Sequence, residues 1–166
     1  MSRYEELLEE FEAYARSADG VKSLMQHISQ LLHEGMARYN WVGFYLMEVS
    51  ASQTLVLGPY VGSFMPMLRI PLDKGLCGAA ATSGKTVVVN NVAVDPRYLG
   101  SDMVKSNIVV PIFLKSQVVA ELDVESYFAD AFTAPEQQFI ESCAALVGRY
   151  VEREALAAGK NQGASR

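Results

Sequence analysis

Two thiols, Cys77 and Cys143, are all this chain offers for sulfur chemistry, and their settings differ. Cys77 stands in GLCGAAATSG, a run of small residues that opens a helix after a glycine, and a thiol near a helix N-terminus has a lowered pKa. The same position also suits a small buried hydrophobe. Cys143 shares helical spacing with Phe139, Ile140, Leu146 and Val147 and reads as core. Asp123 and Glu125 alternate along LDVES, so they point to one face of a strand. Inward-facing acids in an apolar strand are costly unless paired or wet, which leaves a ligand cation or a lysine such as Lys105 as their partner. Trp41 and Tyr45, four apart in one strand, share a face and serve either as core or as the wall of a ligand site. His27 and His33 point to different faces of a helix, and with two distant cysteines they assemble no metal site. Neither a metal nor a cofactor is expected.

The elements that must position these residues follow from periodicity. Tyr4, Leu7, Leu8, Phe11 and Tyr14 form one helical face, and after a break at Ser17 to Gly20 a second helix carries Leu24, Ile28, Leu31 and Leu32. From Trp41 the pattern becomes β. WVGFYLMEV, a turn at SASQ and TLVLGPYVG make a hairpin, followed by the strand MLRIPL, the small-residue helix and the strand TVVVNNV. Asp95 and Pro96 open a long loop. NIVVPIFL and QVVAELDVES form a second hairpin about the Lys115-Ser116 turn. A long amphipathic helix closes the chain, with Thr133 as N-cap, Pro135 in its first turn, and Tyr150 on its buried face. Met65, Met67 and Met103 suit irregular space near the loops.

The chain has 166 residues and is half hydrophobic, enough for one domain with a well-buried core, expected over 1–157 with a disordered tail at 158–166. No apolar run approaches roughly 18 residues, and the start is acidic and amphipathic, so no membrane span or leader is expected and a cytoplasmic location is. With a net charge of −5 and 14 scattered Lys and Arg, no basic stripe is available for a nucleic acid.

Strands interrupted by helices, with helices at both ends, indicate an α+β fold: a central antiparallel sheet of five or six strands with terminal helices packed on it. In NWVGFYL at 40–46, LVLGPYVG at 55–62, RIPLDKGLCG at 69–78, SNIVVPIF at 106–113 and LDVES at 122–126, the chain resembles a GAF domain, and within that superfamily the free methionine-(R)-sulfoxide reductases. DPRY at 95–98 instead resembles a tetrapeptide of sensory GAF domains.

The resemblance implies a reaction in which a thiolate attacks the sulfoxide sulfur, releases methionine and is left as a sulfenic acid that a second cysteine resolves. It aligns Ser101 with the attacking thiol, Cys77 with a resolving thiol and Met67 with a third. A serine oxygen has no redox step equivalent to sulfenic acid and disulfide, so Ser101 cannot perform this reaction. The resemblance further implies that Trp41 and Tyr45 embrace the ligand side chain and that Asp123 and Glu125 hold an amino group. Asn107 aligns with a glutamate of the family. Ser101 and Asp102 complete the expected ligand-binding set. The expectation is therefore a non-catalytic module that binds or senses a small molecule, such as methionine or its sulfoxide, and works in signal transduction as a homodimer. Two alternatives stay open: an active thioredoxin-linked reductase using Cys77, and a dimerising scaffold without ligand.

Overall fold

The computed structural model describes residues 1–48 and 53–164, with backbone only from 161 onward. Helices α1 (Arg3–Ala15) and α2 (Val21–Gly35) come first, then strands β1 (Trp41–Met47), β2 (Thr54–Gly62) and β3 (Arg69–Pro71). Helix α3 (Gly75–Ser83), strand β4 (Val87–Val89) and a 3-10 turn at Val92–Val94 lead into the loop. Strands β5 (Ser106–Leu114) and β6 (Gln117–Ser126) and helix α4 (Ala134–Ala164) complete the chain. The strands form a six-stranded antiparallel sheet in the order β3-β2-β1-β6-β5-β4. This is the expected α+β GAF fold.

Local chemistry explains the boundaries. Ser2 and Glu5 form a reciprocal capping box at the start of α1, with Ser2 Oγ accepting from Glu5 N at 3.2 Å and Glu5 accepting from Ser2 N at 2.7 Å. Lys115 and Ser116 adopt φ of 50° and 70°, the left-handed pair that matches a two-residue hairpin to the twist of β5 and β6. The turn expected at SASQ lies mostly outside the described residues. TVVVNNV supplies only the short β4, because Asn91 caps the 3-10 turn by accepting from Ala93 N at 3.2 Å. Helix α4 continues to Ala164, past the boundary expected at residue 157. Leu156, Ala157, Ala158 and Lys160 are strong helix formers even though they are exposed there.

The two sheet faces have different jobs. Leu24, Ile28 and Leu32 of α2 join Phe11 of α1, Phe139, Ile140 and Val147 of α4, and Val42, Phe44, Ile108, Leu122 and Val124 of the sheet in the main core. Burying each such side chain contributes about 1.5–3 kcal/mol. Tyr4 and Tyr39 both donate to Glu136, tying α1 and the entry to β1 onto α4. The opposite face carries α3 and a second cluster built on Trp41, Tyr45, Leu55, Ile70, Cys77 and Val109. Period-two alternation in β1 and β6 therefore sends Trp41, Gly43, Tyr45, Glu121, Asp123 and Glu125 to the α3 side.

Candidate functional site

On the α3 side lies a cavity of about 620 Å³, within the range of roughly 300–1,000 Å³ usual for small-molecule sites. Its walls come from Tyr45 of β1, the 64–67 segment, Ile70, the start of α3, the 98–101 loop, and Asn107, Asp123 and Glu125 of the sheet. The interior is largely apolar, with polar groups converging at one end.

Cys77 and the carboxylates meet there. The Cys77 thiol lies 3.8 Å from Asp123 Oδ2. Asn107 Nδ2 donates to Asp123 Oδ1 at 2.6 Å and to the Val124 carbonyl at 2.9 Å, so the amide clamps one oxygen and leaves the other to the thiol. Glu125 accepts from Tyr98 Oη at 2.9 Å, which ties the 98–101 loop to β6. Tyr45 donates to the Met67 carbonyl at 2.8 Å and fixes the mouth segment against β1. No ion pair to Lys105 is formed; Asn107 and Tyr98 take the partner role in which a lysine was considered.

Ionisation follows from these contacts. Burial pushes Asp123 up to about 7; the Asn107 hydrogen bond opposes this and the Glu121 charge adds to it. Glu125 is held well above the usual carboxylate range by burial and then by Asp123, with the Tyr98 hydrogen bond working the other way. The thiol behaves opposite to its expected lowering at a helix N-terminus. Burial, followed by Asp123, Glu121 and Glu125, drives Cys77 well above the ordinary thiol range. The helix-terminal effect is small and local, whereas three acids come from another strand.

Of the expected ligand-binding residues, Tyr45, Ser101, Asn107, Asp123 and Glu125 line the cavity together with Cys77 and Met67. Trp41 and Asp102 do not. Trp41 is fully buried in a stack with Tyr60 and Phe64, at ring separations of 5.5 and 5.7 Å, and lies 6.5 Å from the Tyr45 ring, so it supports the wall without forming its surface. Asp102 lies on an exposed turn. Ser101 Oγ accepts from Met103 N at 3.2 Å, a local turn bond. Met65 and Met67 edge the cavity, and Met103 is exposed outside it. Cys143 is fully buried among the α4 core residues, on the other side of the sheet. Two participants were missed by sequence reasoning: Tyr98, whose loop carries no periodic signal, and Glu121, which extends the Asp123–Glu125 alternation by one step. His27 stacks on Tyr14 and His33 Nδ1 lies 2.9 Å from the Tyr39 carbonyl. Among the described residues no group of three His, Cys, Asp or Glu side chains is placed to hold a metal.

Comparison with known proteins places this geometry. The GAF domain profile matches residues 21–151. The free methionine-R-sulfoxide reductase of Escherichia coli is 32% identical over 136 residues, covering 81% of this chain and 80% of that protein. The solved structure of the free methionine-R-sulfoxide reductase from Neisseria meningitidis in complex with its substrate superposes with a TM-score of 0.85 at 30% identity, covering 92% of this chain and 91% of that one. The Staphylococcus aureus protein in complex with substrate gives 0.80 at 29% identity, covering 89% and 94%. These relatives overturn the expectation of a non-catalytic sensing module in signal transduction. That expectation rested on Ser101 alone, and a single aligned loop residue weighs less than similarity to reductases along most of the chain. The chain belongs to the GAF domain family, and within it is a relative of the free methionine-R-sulfoxide reductases.

Proposed function

We propose that this protein reduces the R-sulfoxide of free methionine, with Cys77 as the nucleophile. The observation that carries the reading is the Cys77 thiol on the wall of the cavity, 3.8 Å from Asp123 and sharing that cavity with Glu125, in a chain similar to proteins named for that reaction. Asp123 gives its proton to the sulfoxide oxygen and takes up the thiol proton in its place as Cys77 sulfur attacks the sulfoxide sulfur, and the transient sulfur–sulfur bond breaks as the hydroxyl moves to Cys77. Oxygen passes to Cys77 as a sulfenic acid, and methionine leaves reduced by two electrons. An ionisation near neutral pH suits Asp123 to this acid role. Glu125, oriented by Tyr98, receives the substrate ammonium, and Tyr45 walls the side chain. Asn107 supports Asp123, and Ser101 contacts the ligand from the loop.

Cys143 faces the other core and is not a resolving partner. The sulfenic acid is instead reduced by an external dithiol of the thioredoxin type: one thiol displaces water to give a mixed disulfide, and the second releases Cys77. That supply fits a reducing compartment such as the cytoplasm. Assembly as a homodimer belongs to the same proposal, and sedimentation velocity at the single-chain mass would remove it.

The test is consumption of free methionine R-sulfoxide by the purified protein with a thioredoxin system. Turnover should vanish in Cys77→Ser and persist in Cys143→Ser. Absence of turnover in the unaltered protein, or full turnover in Cys77→Ser, would overturn the reading.

A further inference from the structure

The cavity is rich in hydrogen-bond acceptors and nearly spent of side-chain donors. Asn107 commits its amide hydrogens inside the protein, to Asp123 at 2.6 Å and to the Val124 carbonyl at 2.9 Å. The Tyr45 hydroxyl donates to the Met67 carbonyl at 2.8 Å, the Tyr98 hydroxyl donates to Glu125 at 2.9 Å, and the Cys77 thiol faces Asp123 Oδ2. Among the described residues, the side-chain donor left on the cavity wall is the Ser101 hydroxyl, whose oxygen already accepts from Met103 N. The charged side chains of that wall are Asp123 and Glu125, and no described Lys, Arg or His joins them. Cations flank the lining segments at Arg69, Lys74, Arg97 and Lys105, but all four are exposed. Glu48 holds Arg69 at 2.9 Å and Asp95 holds Arg97 at 2.7 Å.

A ligand entering such a cavity is read by what it donates. On the reductase reading above, on which this step rests, we infer that the substrate class is a methyl sulfoxide carried on a primary amine, the α-carboxylate of methionine sulfoxide being left unread. Asp123 spends its two oxygens on Asn107 and Cys77, and Glu125 Oε1 takes Tyr98, which leaves Glu125 Oε2 for the ammonium. Burial holds Glu125 above the usual carboxylate range. An arriving ammonium therefore eases its ionisation, whereas an arriving carboxylate makes it harder still. A carboxylate carried in beside two acids, with one hydroxyl to receive it, loses its hydration without replacement. Its favourable place is at the mouth, in water, beside the exposed Met65 and Leu99. The rival donors are backbone N–H groups at the start of α3, which carries no side-chain cap. A carboxylate seated on them makes the free amino acid much the better substrate, so head-group preference separates the two arrangements.

Three R-sulfoxides test the preference with the unaltered protein and a thioredoxin system: free methionine sulfoxide, its decarboxylated analogue methylsulfinylpropylamine, and N-acetylmethionine sulfoxide. The second keeps the ammonium and loses the carboxylate, and the third does the reverse. Relative to the free amino acid, kcat/KM for the amine should stay within about tenfold, and that for the N-acetyl compound should fall by more than about tenfold. A larger loss for the amine, or a smaller one for the N-acetyl compound, would overturn the inference and leave the reductase reading in place. If none of the three is consumed, the reductase reading falls, and calorimetric titration with the same compounds decides the head-group preference. The amine should then bind within about tenfold of the amino acid and the N-acetyl compound more than about tenfold more weakly. Any other order, or no saturable binding by the amine, would overturn the inference.

Discussion

The proposed reaction asks Asp123 to be an acid while the fold buries it, and the two demands pull apart. Asparagine at this position still accepts from Asn107 Nδ2, so Asp123→Asn keeps the clamp and loses the proton. Turnover should drop by about a hundredfold or more, while stability at pH 8 rises by roughly 1–3 kcal/mol as a buried charge disappears. Steady-state kinetics and urea melts on one preparation check both. Tyr98→Phe removes the hydroxyl that orients Glu125 and should raise KM severalfold with little change in kcat. Ser101→Cys would put a second thiol on the cavity wall and is expected to raise turnover. No gain there would mean that the loop keeps position 101 away from the reacting sulfur. At this scale the sequence was partly legible. Asp123 and Glu125 were found from alternation, because a strand's period is strict. For Cys77 the sequence left both a lowered thiol and a small buried hydrophobe open; burial decides it, and acids more than forty residues away on β6 add to it.

Strands β1 and β2 meet around one indole. A β-carbon on Gly62 would come within 2.2 Å of Trp41 Cδ1, and one on Gly43 within 2.5 Å of Trp41 Cη2, so the ring lies flat where only glycines let it. Gly62→Ala should cost about 1–3 kcal/mol in a urea melt and weaken ligand binding through Tyr45. The pattern of WVGFYLM placed Trp41 on the correct face of the sheet. It gave no depth: a strand period tells which side a residue takes, while Tyr60 and Phe64, from other parts of the chain, decide that Trp41 stands behind the wall. The hairpin at Lys115-Ser116 and the small-residue helix were legible because local turn and helix chemistry alone specify them.

The whole fold was the most legible level, since helix and strand periods, read in order along the chain, leave few arrangements of an antiparallel sheet with helices at both ends. Its pH response follows from the same acids. Burial raises Asp123 to about 7 in the folded state from an ordinary value of 3.8, so the folded state holds the extra proton. That contribution is complete below the unfolded value and is lost as pH rises through about 7, and Glu121 and Glu125 act in the same direction. The urea midpoint should therefore fall between about pH 5 and about pH 8, and a flat profile would show that the acids are wetter than their burial indicates. The sheet that sets Cys77 on one side and Cys143 on the other also dictates a rhythm. In the proposed reaction, with no internal route for passing oxidation along, the cavity must empty of amino acid before a reductant can reach the oxidised sulfur. Double-reciprocal plots against the two substrates should accordingly run parallel, as in any exchange where one visitor leaves before the next arrives.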